Sequence, residues 1–404
     1  MRIAYLALVE IDVANACLVH TREVAEQLAA LGHEVTLILP QPLRPQTWAG
    51  VRHVWIKRWG FDRLRQLAFS LASAWRLLLL HRRHPFDLLY LREMTYSPLL
   101  PAFVRWLRVP LFVEVNGWLL DDLRLTGASA RELGAVERSQ RTLFRAATGV
   151  LVSTAGNAEK IRTLYGVPAQ RVTVQELGTN PEHFSSGEKR AAREKLGLPA
   201  EVPVLLFAGS FHPHHDLGTV LEAFAGLAAA DPRPVLVLVG YGSTWKWLRD
   251  RCRSPGLAGR VVMPGPVPYE QIPRYFQAAD IGLLPLTREN IRQRNGCVTL
   301  KLWDYMAAGL PVVATDLPGT ASYDLLKEKV LVVPPEDPQA MEQALRRLVS
   351  QEELRDRLGR EGRDYVRAHR SWRQAAEETV GFIKKRLAEE SAEDRREAAR
   401  PCAG

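Results

Sequence analysis

The stretch that decides the fold is TLKLWDYMAAGLPVVATDLPG, residues 299–319. Its first half has the apolar spacing of a short amphipathic helix, and Gly309 supplies a helix end before the apolar run at residues 311–315. A helix, a glycine and a buried strand in this order are typical of α/β proteins with parallel sheets. Lys301 and Asp304 are three residues apart and share one helix face. Alone, this pair fits either a surface ion pair or a phosphate site at the helix start.

Similar patterns occur on both sides of a polar stretch, GTNPEHFSSGEKRAAREKLG. Before it, buried strands are predicted at MRIAYLALV, EVTLILP, DLLYLR, LFVEV and GVLVST, with helical segments between them. After it, VPVLLFAGS, VLVLVGYG, IGLLPL and PVVATD repeat the alternation. The sequence therefore predicts an α/β fold of two Rossmann-like, doubly wound parallel-sheet domains. Their ligand sites are expected at the carboxyl ends of the strands, facing a central cleft.

The composition is that of a globular protein. The 404 residues, 47% hydrophobic and 25% charged, suffice for two domains. The four cysteines lie far apart without a CxxC pair, which favours a reducing compartment over disulfides or structural zinc. The apolar start MRIAYLALVEID is interrupted by Glu10 and Asp12 too early for a signal peptide. The longest apolar segment is interrupted by Arg76 and is too short to span a membrane. We therefore expect a cytoplasmic protein.

Residues 52–83 form a basic, aromatic-rich segment with eight Lys and Arg residues and one acid, Asp62. Such a segment fits an anionic membrane surface or an anionic acceptor, with a solvated amphipathic helix as the alternative. No nucleic-acid-binding motif accompanies it, so we expect no nucleic acid partner. Arg58, Arg63 and Arg65 are the predicted acceptor or membrane face.

Two strand-to-helix transitions are candidate phosphate sites. Gly209 and Ser210 follow a predicted strand, and the histidines of HPHHD (residues 212–216) precede a helix. Free backbone N–H groups at a helix start favour anions, although the same residues suit a plain capping turn. The histidines lack a second ligand cluster, so we expect no metal. The polar loop RENIRQRNGCV leads into the helix that carries Lys301, where a diphosphate would meet backbone N–H groups and a cation.

A third candidate is FVEVNGWLLDDL, in which Asn116 and Gly117 follow a predicted strand. An amide there can both donate to and accept from a sugar hydroxyl. Asn-Gly is equally a plain turn signal, and Asp121 and Asp122 fit either a general base or the acids of a helix start. The local pattern leaves these alternatives open.

Taken together, these stretches resemble the retaining, GT-B-fold glycosyltransferases of family 4. The resemblance is carried by TLKLWDYMAAGLPVVATDLPG, FAGSFHPHHDLGTVLEAF, LVGYGS and VVMPGPVPYEQIPRYFQAADIGLLPL, and more loosely by EVNG in the N-terminal half. It covers nearly the whole chain. It implies an acceptor-binding domain at residues 1–183, a donor-binding domain at 184–370, and a C-terminal helix with a charged tail at 371–404 that crosses back to the first domain.

The resemblance also implies roles for particular residues. Diphosphate contacts are implied at the two strand-to-helix transitions of the second domain, namely at Gly209, Ser210, His215, Arg294, Thr299, Leu300 and Lys301. Asp304 is implied to contact the ribose, and the segment near Val267 to contact the base. Asn116 is implied to contact the donor sugar. Asn116 and Lys301 are the predicted catalytic residues. The implied substrate is a nucleotide-diphosphate sugar, with neither a metal nor another cofactor.

Several positions depart from the family pattern. Gly296 stands where the family has the first carboxylate of its E-x7-E motif, and Ser210 and His215 replace an Arg and a Lys. The predicted function is transfer, with retention, to a glycan or lipid-linked acceptor in cell-surface polysaccharide or glycolipid synthesis, at the inner face of the cell membrane. The departures motivate the alternative, a non-catalytic nucleotide-sugar-binding GT-B partner subunit.

Overall fold

The computed structural model describes residues 1–12, 16–58, 62–95, 97, 99–125, 127–185, 187–289, 300–316 and 328–398. The chain forms two compact units. The first unit joins Met1–Glu176 to the C-terminal segment from Trp372 onward, and the second comprises Leu177–Ser371.

The first unit alternates strands with helices, as the apolar runs of the sequence predict. The described strands are β1 (Arg2–Leu6), β2 (Glu34–Pro40), β3 (Val51–Ile56), β4 (Leu88–Arg92), β5 (Leu111–Val115), β6 (Gly149–Val152) and β7 (Val172–Val174). The described helices are α1 (Ala16–Ala30), α2 (Asp62–Arg83), α3 (Leu100–Leu107), α4 (Leu119–Leu125), α5 (Ala130–Ala146) and α6 (Ala155–Tyr165). The strands pair in parallel in the order β3-β2-β1-β4-β5-β6-β7.

The second unit repeats this plan. The described strands are β8 (Val204–Ala208), β9 (Val235–Val239), β10 (Val261–Gly265), β11 (Ile281–Leu284), β12 (Val312–Thr315) and β13 (Leu331–Val333). The described helices are α7 (Pro181–Ser185), α8 (Lys189–Leu196), α9 (Leu217–Ala230), α10 (Trp245–Arg251), α11 (Ile272–Ala278), α12 (Leu300–Ala307), α13 (Pro338–Ser350) and α14 (Glu352–His369). The parallel order is β10-β9-β8-β11-β12-β13. The predicted fold class, two parallel-sheet α/β domains, is confirmed.

Each sheet is buried on both faces, which explains its nearly continuous apolar strands. In β8 the side chains of Val204, Leu206 and Ala208 enter one core cluster, while Leu205 and Phe207 enter another. This alternation follows from the two-residue period of a strand. The helices cover both faces, so the polar ends of the strands are the places where the sheet can meet a ligand.

A long C-terminal helix, α15 (Trp372–Ala398), packs within the first unit against α1. The buried Arg386 guanidinium donates from Nε to the backbone oxygen of Thr148 at 3.1 Å, and the Phe382 ring lies edge-on to Phe112. These contacts tie the end of the chain to the start of β6 and to β5. Among the described residues, no helix is long and apolar enough to cross a membrane.

Candidate functional site

The order of the strands reverses once in each unit. In the second unit β8 leads to β9 on one side of the sheet, whereas β11, its other neighbour, leads to β12. Open α/β sheets bind ligands outside the carboxyl ends of the strands at such a reversal. Gly209 and Ser210 directly follow β8, and α12 follows β11, so the predicted donor residues of these two segments belong to this one edge.

The turn after β8 is closely packed against the turn after β9. The Gly209 amide donates to the Val239 oxygen at 2.9 Å, and the Phe211 amide donates to the Tyr241 oxygen at 3.0 Å. A Cβ on Gly240, whose φ is +142°, would lie 1.8 Å from the Gly209 oxygen. Gly240 is therefore needed for the close approach of the two turns, which fixes the backbone around Gly209.

Lys301 and His215 meet beside this turn. Lys301 Nζ lies 3.2 Å from His215 Nε2, and His215 Nδ1 lies 2.7 Å from the Ser210 backbone oxygen. A carbonyl oxygen only accepts, so Nδ1 carries the proton and Nε2 accepts from the Lys301 ammonium. His215 is buried and packs edge-on against Phe207. The pair therefore holds one positive charge, on Lys301, in a fixed place.

The lysine side chain lies directly over Gly209. A Cβ at Gly209 would come within 2.0 Å of Lys301 Cε and 2.8 Å of Nζ. The absent side chain thus makes the space that the lysine occupies. The helix that carries Lys301 is also anchored to the strand end, because the Ala208 amide donates to the Tyr305 hydroxyl at 2.9 Å. Burial raises the pKa of the Tyr305 phenol, which keeps it protonated.

Asp304 is held by a residue that the sequence did not indicate. Thr179 Oγ1 donates to Asp304 Oδ1 at 2.6 Å. The buried Thr179 is itself fixed, because its amide donates to the Arg370 oxygen at 2.8 Å. Thr179 thereby orients the Oδ1 atom of the Asp304 carboxylate, and both residues belong to the second unit.

The other predicted donor residues fall in different surroundings. Leu300 is half-buried at the first position of α12, and Val267 packs partly buried against the core in the segment after β10. Arg294, Gly296 and Thr299 lie outside the described residues. Just before that segment, the Arg288 amide donates to Glu336 Oε1 at 3.0 Å. The diphosphate and base contacts at these positions stay predictions.

In the first unit, Asn116 belongs to a buried polar cluster at the carboxyl end of β5. The Asn116 amide donates to Glu114, whose Oε1 lies 2.5 Å from His20 Nε2 and 3.2 Å from Arg92 Nη1. The Tyr5 hydroxyl donates to Glu114 Oε2 at 3.3 Å. Burial alone would raise the pKa of Glu114, but His20, Arg92 and Asn116 outweigh it and lower the pKa to about 2.

A second acid of this unit, Glu93, behaves oppositely. It directly follows β4 at the reversal between β1 and β4, and the Gln140 amide donates to its carboxylate. Burial raises the pKa of Glu93 to about 8, with Asp122 adding to the rise, while Gln140 and Arg92 oppose it. The sequence pattern did not indicate Glu93, Glu114 or Arg92 as site residues. Their position at the ends of predicted buried strands was the available signal.

The predicted acceptor or membrane residues are only partly described. Arg58 forms ion pairs with Asp12 and, at 3.6 Å, with Glu10. The side chains of Arg63 and Arg65 lie outside the described residues. Within the described ranges, no three His, Cys, Asp or Glu side chains converge as a metal site would require.

Comparisons with known proteins agree with this architecture. The family model "Glycosyl transferases group 1" matches residues 188–365, and "Glycosyl transferase 4-like domain" matches residues 16–178. A D-inositol 3-phosphate glycosyltransferase from Thermobispora bispora is 28% identical over 327 residues, covering 74% of each chain. Its counterpart from Stackebrandtia nassauensis is 31% identical over 57% of this chain, an alignment that spans 53% of that enzyme.

Solved structures share the fold across nearly the whole chain. Sucrose-phosphate synthase from Thermosynechococcus elongatus superimposes with a TM-score of 0.75 at 20% identity, over 96% of this chain and 99% of its own. HepE from Anabaena, solved in complex with UDP-glucose, gives a TM-score of 0.73 at 14% identity, over 95% and 100%. The fold is GT-B.

Proposed function

Because this chain belongs to the group 1 glycosyltransferases, we propose that it moves a sugar from a nucleotide-diphosphate sugar to a glycan or lipid-linked acceptor, with retention of configuration and without a metal. The observation that carries the proposal is the fixed contact between Lys301 and His215 over Gly209, at the strand reversal of the second unit. We assign donor binding to residues 184–370 and acceptor binding to residues 1–183, in cell-surface polysaccharide or glycolipid synthesis at the cytoplasmic membrane face.

The chemistry of this proposal is electrostatic. Negative charge develops on the diphosphate as the bond between the sugar C1 and the phosphate oxygen breaks. Lys301 and the backbone N–H groups at the start of α12 would stabilise that charge. The acceptor oxygen forms its bond to C1 on the same face, and its proton passes to the leaving phosphate oxygen. Lys301 supplies the positive charge of its pair, since His215 is neutral in the arrangement described above.

The nucleoside would lie along the same edge of the second unit. Asp304, oriented by Thr179, would accept hydrogen bonds from the ribose hydroxyls through its carboxylate. The segment around Val267 would meet the base, with Leu300, Thr299 and Arg294 near the phosphates. HepE was solved with UDP and with UDP-glucose, which makes uracil the first base to try. Asn116, whose amide nitrogen is engaged by Glu114, would accept from a donor-sugar hydroxyl through Oδ1.

Replacement of Lys301 tests the proposal. Removing a preorganised charge from a transition state costs about 10²- to 10³-fold in kcat. We expect Lys301→Ala to lower the rate of nucleotide release from the donor by that factor. The matched control is Lys189→Ala, which removes a lysine from the same unit, where Lys189 Nζ pairs with Asp280 at 2.7 Å. Equal rates in the two variants would refute the role assigned to Lys301.

A further inference from the structure

Helix α2 presents a second apolar face that the fold does not use. Phe69, Ser73 and Leu77 are buried on one side of the helix. On the opposite side, Leu67, Leu71, Trp75 and Leu79 recur every fourth residue, and all four are exposed. Trp75 is 61% exposed and Leu71 is 47% exposed. Residues spaced by four are neighbours on a helix, so these side chains form one continuous stripe about 18 Å long.

The neighbouring helix α3 also has exposed apolar side chains. It contacts α2, and it carries Trp106, 62% exposed, with the exposed Leu99 just before its first residue. We call the exposed side chains of Leu67, Leu71, Trp75, Leu79, Leu99 and Trp106 the α2–α3 surface. Large apolar side chains collected on one surface mark an interaction site rather than ordinary solvent exposure.

From Arg63 to Phe86 and from Leu99 to Arg108, the segments that carry the α2–α3 surface, the charges have one sign. Arg76, Arg82 and Arg83 are exposed on α2, and Arg105 and Arg108 are exposed on or beside α3. The sequence has no acidic residue from position 63 to 86 or from 99 to 108. An apolar stripe flanked by these arginines is complementary to an anionic lipid surface. A second copy of the chain would instead bring two basic surfaces together.

The direction of α2 relates this surface to the reaction. The helix begins after β3 has ended at Ile56 and finishes before β4 begins at Leu88, so it runs antiparallel to the strands. Its first residues therefore lie toward the carboxyl edge of the sheet, where Glu93 and Asn116 stand. A bilayer lying along the stripe would reach the edge at which we place the acceptor.

We propose that the α2–α3 surface docks on the face of a bilayer that contains anionic lipids, with α2 lying in the plane of the interface. This deepens the proposed function, because it names the surface that would bring the enzyme to a lipid-linked acceptor. The apolar side chains enter the boundary between headgroups and acyl chains, and the arginines contact lipid phosphates. Arg58, already paired with Asp12 and Glu10, is not needed for this contact.

Co-sedimentation of the full-length chain with vesicles tests the proposal. We expect binding to vesicles of phosphatidylcholine with phosphatidylglycerol, weaker binding to phosphatidylcholine alone, and weakening by salt at roughly 0.5 M. The double variant Leu71→Ser with Trp75→Ser should bind anionic vesicles about tenfold more weakly or worse. The control, Leu164→Ser with Trp247→Ser, changes the same residue types at half-exposed positions elsewhere and should bind as the wild type does.

Three results would overturn the proposal. They are failure of the wild-type chain to bind anionic vesicles, equal binding by the two double variants, and loss of a dimer in the Leu71/Trp75 variant by sedimentation velocity. The last would assign the surface to a second copy. An unchanged midpoint of thermal unfolding would show that both variants fold. Vesicle binding needs no donor, so its outcome is separate from that of the Lys301→Ala experiment.

Discussion

Gly209→Ala tests the proposed role of Lys301 by filling the space that the lysine occupies. The added Cβ would lie 2.0 Å from Lys301 Cε and 2.8 Å from Nζ, far inside van der Waals contact. The atoms that must move belong to the end of a flexible side chain, so the lysine is expected to leave its place over residue 209. Its bond to His215, 3.2 Å in the wild type, is then lost. Gly209 has a φ of +158°, which residues with a side chain rarely adopt, so we expect some loss of unfolding free energy together with a large loss of ligand binding.

The expected loss of UDP affinity follows from the hydrogen bond that Lys301 would no longer donate to the diphosphate. A hydrogen bond to a charged group contributes about 1.5–3 kcal/mol, which corresponds to roughly 10- to 150-fold in Kd. Isothermal titration calorimetry with UDP should show this loss in Gly209→Ala and in Lys301→Ala, and combining the two changes should add little. Binding of UMP, which lacks the second phosphate, should fall less. Gly381→Ala, a helical position with open space around the added Cβ, is the control. Unchanged UDP affinity in Gly209→Ala would refute the reasoning.

Two further predictions concern carboxylates. Asp304→Ala should weaken UDP binding by about 1.5–3 kcal/mol. Thr179→Val removes only the orienting hydroxyl and should have a smaller effect of the same sign in the same titration. Full UDP affinity in Asp304→Ala would show that this acid does not bind the nucleotide. Glu93 has a pKa raised from 4.5 to about 8 in the folded chain, so the unfolded chain loses its proton first and stability falls as the pH rises between these values. Glu93→Gln keeps an acceptor for Gln140 and should flatten the fall in unfolding free energy, measured in urea between pH 5 and pH 8. An unchanged slope would contradict the raised pKa of Glu93.

The sequence predicted the fold because the fold depends on local patterns. Apolar runs such as VLLFA and VLVLV are long enough for buried strands, and Gly309 ends α12 with a φ of +75°. The helix with Lys301 and Asp304 was predicted for the same reason.

The sequence could not predict which distant residues would meet. Thr179 lies in a polar stretch that reads as a linker, yet its hydroxyl binds Asp304, 125 residues away in the chain. The buried Glu114 carboxylate depends on His20 and Arg92, which come from different elements of the first unit. Such contacts depend on how whole helices and strands pack together, and a local sequence pattern carries no information about that packing. His215 was predicted from resemblance, but its tautomer depends on the Ser210 oxygen beside it.

The central claim is that the chain transfers a sugar from a nucleotide-diphosphate sugar to an acceptor, and nucleotide release tests it most directly. The wild-type chain is incubated with a panel of nucleotide-diphosphate sugars, beginning with UDP-glucose, with and without lipid-linked and glycan acceptors. The account predicts release that depends on an acceptor, with a product that retains the donor's anomeric configuration. Tight binding of a donor without release across the whole panel would contradict it, and would identify the chain as a non-catalytic partner subunit.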